Sequence, residues 1–292
     1  MRNKFLLIFA LLIVRVDIAL SENLFIESKK IFIEKKKELT IFEKDVIAIT
    51  EDGFKIESQY GAYNKKSGIL ILKDKIKGRD KKNNLIETSF AEYNELSKVF
   101  KSIGYTKITT GENYIIEGED IIYDDIKKRI SSEKKALIID QENNKIFLEK
   151  FEYEINDNIF KSIGFVKVQD KFDNIYKFSQ IYIDTKKKEI LGTDSKFFIN
   201  QRDFKIDDRN KPRIFSNTSK ISENESIFKK SIFTLCDYRK NDECPPWSVQ
   251  STQMLHDNKK KTIFYENAVI KVYDIPIFYL PRLSHPDPSV DR

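Results

Sequence analysis

The sequence predicts an all-β fold built from stacked two-strand repeats. Five tyrosines spaced 30, 30, 30 and 29 residues apart each lie near the end of a short apolar run: Tyr63, Tyr93, Tyr123, Tyr153 and Tyr182. The runs are rich in Ile, Phe, Tyr and Val, which suit a pleated sheet, and segments rich in Asn, Asp and Gly separate them. A fixed period indicates one unit copied along the chain. We therefore expect a β-solenoid, β-sandwich or β-jelly roll, whereas a propeller would need blades of about 40 to 50 residues.

Each repeat contains two turn signals. One follows the tyrosine and consists of an Asx residue, a basic cluster and an Ile, as in 63–69, 123–130 and 182–190. The other lies half a period away, as in 80–84, 140–144 and 170–174. Because Asn, Asp and Gly tolerate positive φ or hydrogen-bond their own backbone, these signals predict tight turns joining two strands per unit.

Apolar and charged residues alternate along the strands. Glu92, Glu152 and Glu154 lie out of phase with the apolar positions, which predicts one apolar and one solvated face. The apolar positions that we expect to share the inner face are Tyr93, Ile121, Tyr123, Phe147, Phe151 and Tyr153.

The N-terminus has the layout of a signal peptide. Arg2 and Lys4 precede a short apolar stretch, and Ala19 and Ser21 are small residues at the −3 and −1 positions of a cleavage site. We predict a signal peptide over 1–21 followed by an N-terminal arm over 22–45. A buried first strand or an uncleaved anchor is the alternative.

Composition and motifs give no sign of catalysis. The net charge of +6 is mild and spread over the turns, which argues against nucleic-acid binding. The sequence lacks a phosphate-binding glycine loop, a nucleophile elbow and a metalloprotease motif, so we predict no enzyme, cofactor or metal. His256 begins a turn pattern, 256–263, at the position of a displaced sixth tyrosine, and a turn-flanking role is expected for it.

Two cysteines bracket a polar loop in the C-terminal region. An exported chain would meet an oxidising compartment, which permits a disulfide between Cys236 and Cys244. Two free thiols are the alternative.

The last 60 residues carry a family resemblance in five segments: 233–236 (FTLC), 245–247 (PPW), 254–257 (MLHD), 276–281 (PIFYLP) and 285–292 (HPDPSVDR). In this order and spacing they resemble the N-terminal periplasmic domain of the LptD family, also called OstA, the lipopolysaccharide-assembly proteins of the outer membrane. Over the repeats only the two-strand pattern is shared. Members of that family carry a cysteine near the mature N-terminus, which this sequence lacks, and Cys244 is additional.

The resemblance implies an elongated, V-shaped β-jelly roll over 46–275 and a lead-in over 276–292 to an outer-membrane β-barrel that the sequence given does not contain. It also implies non-enzymatic transport of lipopolysaccharide at the periplasmic face of the outer membrane. The six inner-face candidates named above would then line a groove for lipid A acyl chains.

Partners follow from the same resemblance. We expect lipopolysaccharide, a periplasmic jelly-roll bridge protein paired through an edge strand, and a lipoprotein plug that would act through the barrel. A free-standing periplasmic bridge protein of the same fold is the first alternative. An exported polysaccharide-active β-helix is the second, and it would need carboxylates clustered on one exposed sheet face.

Overall fold

The structure is a computed structural model that describes residues 24–199, 212–236, 245–287 and 290. The predicted signal peptide, 1–21, and Cys244 lie outside the described residues. Among the described residues, the only helix is a 3-10 turn, Lys35–Lys37. No helix in this part of the chain is long and apolar enough to cross a membrane.

Antiparallel strands make up the rest of the described fold. Their bounds are β1 Leu24–Glu27, β2 Lys30–Glu34, β3 Leu39–Thr50, β4 Lys55–Asn64, β5 Ile69–Arg79, β6 Leu85–Asn94, β7 Val99–Ser102, β8 Tyr105–Thr109, β9 Ile115–Glu119, β10 Ile122–Asp124, β11 Arg129–Ser132, β12 Ala136–Ile139, β13 Lys145–Leu148, β14 Phe151–Glu154, β15 Ile159–Gln169, β16 Ile175–Asp184, β17 Glu189–Phe198, β18 Arg213–Ile221, β19 Glu225–Thr234, β20 Trp247–Asp257, β21 Thr262–Val272 and β22 Ile275–Pro286.

Each strand pairs with its neighbours along the chain, so the sheet is one long meander. For example, β4 pairs with β3 and β5, and β16 pairs with β15 and β17. Turns alternate between the two ends of the strands. One end carries the turns at 51–54, 80–84, 110–114, 140–144 and 170–174, and the other carries those at 65–68, 95–98, 125–128, 155–158 and 185–188. One complete repeat is therefore a strand up and a strand down.

Asx side chains fix many of these turns. The Asp80 carboxylate accepts the backbone N–H groups of Lys82 and Asn84, each at 2.9 Å, and it also accepts the Asn84 side-chain amide at 2.7 Å. The same set of bonds recurs 60 and 90 residues later at Asp140 and Asp170. The repeated turn signals of the sequence therefore have a common hydrogen-bonding cause.

Every long strand bends near its middle. Residues in the left-handed region mark the bend, including Lys44 (φ 66°), Asp74 (φ 64°) and Asp194 (φ 49°), and the pairing register shifts at several of these sites. A bulge of this kind bends the strand and increases its twist. The two halves of each strand consequently lie in two facing layers joined along the bend, so the sheet is V-shaped in cross-section.

Small and hydroxylated side chains line the inside of the bend, where the two layers converge. The Thr106 hydroxyl donates to that of Ser102 at 2.7 Å, and hydroxyl pairs also join Ser195 to Ser219 at 2.7 Å and Ser231 to Ser251 at 2.8 Å. These serines and threonines are buried, and their mutual hydrogen bonds offset the loss of contact with water.

The fold class predicted from the sequence is confirmed: the protein is an all-β, V-shaped β-jelly roll of stacked two-strand repeats. Two predicted domain limits fall inside strands. The limit between 45 and 46 coincides with the bend of β3, and the limit between 275 and 276 falls at the start of β22. β1 and β2 pair with the two halves of β3, so 24–34 belong to the same sheet.

Candidate functional site

The inner face of the V carries a continuous row of cross-strand neighbours. Tyr63, Tyr93 and Tyr123 alternate in this row with residues of the intervening strands. The full row runs Thr40, Tyr63, Leu70, Tyr93, Phe100, Tyr123, Ile130, Tyr153, Phe160, Ile183, Ile190, Ile221, Ser226, His256, Ile263 and His285. The tyrosine spacing is therefore the signature of one transverse row.

Two sequence predictions about this face are wrong. Phe147 is 38% exposed on the outer face, because the bend at 149–150 reverses the alternation and leaves Ile146 and Leu148 buried instead. Tyr182 is 40% exposed, and Ile183, which is 30 residues after Tyr153, takes the inner position. The shorter last spacing of the ladder was the sign of this change of face.

The other candidates lie inside. The buried members of the predicted set are Tyr93, Ile121, Tyr123, Phe151 and Tyr153, each at most 2% exposed. Burial raises the pKa values of Tyr93, Tyr123 and Tyr153, so these phenols stay protonated and act as hydrogen-bond donors. Burial also raises the pKa of the nearby Tyr114 to about 12.

Polar contacts close the mouth of the V over its N-terminal part. The Lys98 ammonium donates to Asp52 at 2.9 Å, and this bond holds the pKa of Asp52 below its ordinary value. The Lys82 ammonium donates to the carbonyl of Ile155 at 3.0 Å. Glu112 accepts hydroxyls from Tyr153 at 3.2 Å and Thr185 at 2.9 Å. We call these three contacts the clasp. Each joins a turn at one end of the strands to residues at the other end.

Aromatic packing fills the interior beneath the clasp. Phe54 stacks on Tyr123, with ring centroids 4.8 Å apart, and meets Phe100 edge-on at 5.7 Å. Tyr153 stacks on Phe160 at 4.2 Å. This part of the inner face is therefore occupied by its own side chains.

Beyond the clasp the two layers separate around an open cavity of about 390 Å³. Its walls are mostly apolar and come from β15 to β19: Val168, Tyr176, Phe178, Ile190, Phe197, Ile214, Ile221 and Phe228. Turn residues form a polar rim on both sides: Asn144, Asp170, Lys171, Asn174, Ser226, His256 and Asn258. An apolar channel with a polar mouth fits an amphiphile whose hydrocarbon enters and whose polar group stays in water.

Sequence reasoning did not identify the cavity walls. Ile190 and Ile221 continue the inner row, so the register from Ile183 onward was the signal that could have found them. Phe197 closes one wall and meets Tyr176 and Phe228 at nearly perpendicular angles, with centroids 5.1 Å away in both cases. The cavity itself depends on how far the layers part, which alternation does not encode.

His256 occupies the row position expected for the displaced sixth member of the ladder. Its Nε2 lies 2.9 Å from Oδ2 of the buried Asp287, at the rim of the cavity. Cys236 is half-buried, and because Cys244 lies outside the described residues, the disulfide stays a prediction. Among the described residues no group of three or more His, Cys, Asp and Glu side chains is placed to hold a metal ion.

Comparisons with known proteins give one structural similarity. A scan against protein-family models and a search of curated proteins found no match. Among solved structures the chain is similar to LptH of Pseudomonas aeruginosa, described as the LptA-homologous periplasmic component of the lipopolysaccharide transport device. The identity is 12% and the TM-score 0.18, over 59% of this chain and 85% of that one. A TM-score this low supports no conclusion about this chain.

Proposed function

We propose that this protein is a non-enzymatic carrier in lipopolysaccharide transport, in which lipid A acyl chains occupy the apolar interior of the V. The observation that carries the proposal is the open cavity of about 390 Å³, with apolar walls and a polar rim. The resemblance of 233–292 to the periplasmic domain of the LptD family supplies the class of ligand. The signal-peptide layout of 1–21 adds an exported location, at the periplasmic face of the outer membrane.

The energetics of hydrocarbon burial agree with such a role. Each methylene moved from water into the cavity contributes roughly 0.8 kcal/mol, so an acyl chain is held by many similar contacts and no single side chain dominates. Apolar walls provided by several successive strands, β15 to β19, allow a chain to shift by one strand without meeting a deep energy minimum. The lipid is thereby shielded and still able to advance.

Open sheet edges supply docking sites for the partners. Among the described strands, β22 pairs only with β21, and β1 and β2 pair only with β3. Ile275, Phe278 and Tyr279 on β22 are 62%, 63% and 59% exposed, and Ile33 on β2 is 68% exposed. We propose that a periplasmic jelly-roll protein adds a strand at one edge.

The two edges also favour a second candidate function. A free-standing bridge protein needs a docking edge at both ends of its sheet, and both ends of the described sheet have one. In the LptD-like form of the proposal, 276–292 instead leads toward a barrel and its lipoprotein plug. Both forms require the same lipid path, and they differ in what β22 contacts.

A pair of adjacent residues tests the lipid path. Ile190→Asp places a carboxylate in the cavity wall, and because an acyl chain would then contact a charge, we expect binding of lipopolysaccharide to fall at least tenfold. Leu191→Asp is the matched control, because Leu191 is 49% exposed on the outer face of the same strand. Binding would be measured by co-purification of lipopolysaccharide with the purified chain.

Thermal melting of both variants separates loss of the site from loss of the fold. Should Ile190→Asp fail to melt cooperatively, Ile190→Trp replaces it, because a larger apolar side chain fills the cavity without adding charge. Equal binding by cavity-wall and outer-face variants that remain folded would contradict the proposed function.

A further inference from the structure

The outer face of the sheet carries two different charge patterns along its length. In the N-terminal strands, acidic and basic side chains alternate directly opposite one another in the order Glu57, Lys77, Glu87, Lys107 and Glu117. Lys77 and Glu87 form an ion pair at 3.2 Å. Opposite charges across strands stabilise a sheet, so this part of the outer face is self-neutralising.

The same row changes character from β12 onward. Its next members are Leu137, Phe147, Lys167, Lys177, Lys196, Phe215 and Ile232. The parallel row beside it reads Ile139, Lys145, Gln169, Ile175, Phe198, Arg213 and Thr234. Neither row contains an Asp or a Glu. We call these two rows of β12 to β19 the basic face.

Three lysines on adjacent strands form the centre of the basic face. Lys167 pairs in register with Lys177, and Lys177 pairs with Lys196. Like charges placed directly opposite are destabilising, so this arrangement costs the isolated protein free energy. Among the described residues, no carboxylate lies within ion-pair distance of any of the three.

Aromatic rings accompany the lysines. The Lys167 ammonium lies 5.5 Å from the centroid of Phe147, and the Lys177 ammonium lies 5.2 Å from that of Phe198. A depression of about 630 Å³ runs along the outer side of the bend here, lined by Lys177, Lys196, Phe198 and Phe215 together with Phe165 and one acid, Asp194. Phe147 and Phe165 are 38% and 50% exposed.

We propose that the basic face binds the surface of an anionic phospholipid bilayer. Ammonium groups on adjacent strands lie about one interstrand spacing apart, roughly 5 Å, and would contact the phosphates of neighbouring headgroups. The exposed phenylalanines would enter the interfacial region, where rings flanked by basic residues are favoured. The membrane would thus neutralise the lysines that no acidic residue of the sheet neutralises.

The sequence of the row favours a bilayer over a nucleic acid. Its three lysines span only two interstrand gaps, about 10 Å, and apolar residues follow on both sides: Leu137 and Phe147 on one, Phe215 and Ile232 on the other. A groove that follows a nucleic-acid backbone would extend the charge along its length. A basic centre with apolar flanks matches the headgroup and acyl boundary of a membrane.

Vesicle binding by the full-length chain tests the proposal. The variant replaces Lys167, Lys177 and Lys196 with Gln, and the control replaces Lys77, Lys101 and Lys107 with Gln, which removes the same charge from positions that face acidic residues. Sedimentation with vesicles of 30% phosphatidylglycerol in phosphatidylcholine is expected to show binding that weakens at high salt. Since each surface lysine contributes about fivefold, the variant should bind about 100-fold more weakly and the control much less so.

The remaining arms identify the ligand. Binding to the anionic vesicles without binding to pure phosphatidylcholine supports the proposal. Equal loss in variant and control, or no binding to either vesicle, overturns it. Displacement from vesicles by millimolar inorganic phosphate would indicate a site for free phosphate, and tighter binding to a single-stranded oligonucleotide would indicate a nucleic-acid surface. Both results overturn the membrane assignment, and neither depends on the lipid path inside the V.

Discussion

Replacing Tyr123 with alanine is expected to lower the free energy of unfolding by about 3 to 5 kcal/mol, the loss typical of a large buried aromatic side chain. Tyr123 is 1% exposed and stacks on Phe54 at 4.8 Å. Its hydroxyl donates to the buried Asp125 at 2.8 Å, so the substitution also removes a donor from a carboxylate that is shielded from water. Urea denaturation followed by circular dichroism measures the change.

Tyr182 provides the matched control for this prediction. It belongs to the same ladder in the sequence, but it is 40% exposed on the outer face. Tyr182→Ala should therefore change the free energy of unfolding by no more than about 0.5 kcal/mol. Similar losses for the two variants would mean that Tyr182 lies inside with the other tyrosines and that the inner row has been assigned to the wrong residues.

Replacing Phe197 with alanine is expected to cost a similar amount, about 3 to 5 kcal/mol. Phe197 is 4% exposed and meets Tyr176, Phe178 and Phe228 edge-on, at centroid distances of 5.1, 5.7 and 5.1 Å. It therefore holds the two layers together beside the cavity. The variant leaves a void among rings that are fixed by different strands, so little collapse is expected.

Phe264→Ala is the control, because Phe264 is 37% exposed on the outer face of β21. Urea denaturation of both variants should give similar m-values, since the same surface unfolds, with a lower midpoint for Phe197→Ala alone. Equal midpoints would contradict the close packing of the layers at Phe197.

The repeat could be predicted from the sequence because it is local. Turn chemistry at residues such as Asp80 and Asp140 depends on bonds within four residues, and the row of tyrosines follows from a constant number of residues per hairpin. The bend could not be predicted in the same way. It inserts residues into the alternation, which moved Phe147 to the outer face although its spacing from Phe151 suggested a shared face.

The cavity was beyond sequence reasoning for a different reason. Ile190 and Ile221 have the same apolar character as Leu70, which is fully buried, yet they line an opening. What distinguishes them is the distance between layers, which depends on contacts between turns far apart in the chain. Lys98 with Asp52, and Glu112 with Thr185, close the N-terminal part, and the wall from β15 to β19 lies beyond them.

Photo-crosslinking at two adjacent positions tests most directly whether the interior carries lipid. A photoreactive amino acid at Ile190 would face the cavity, and the same amino acid at Leu191 would face outward on the same strand. With exported protein in cells that make lipopolysaccharide, we predict a crosslinked lipopolysaccharide band from position 190 and none from position 191. Capture from 191 alone, or from both positions equally, would contradict an internal lipid path.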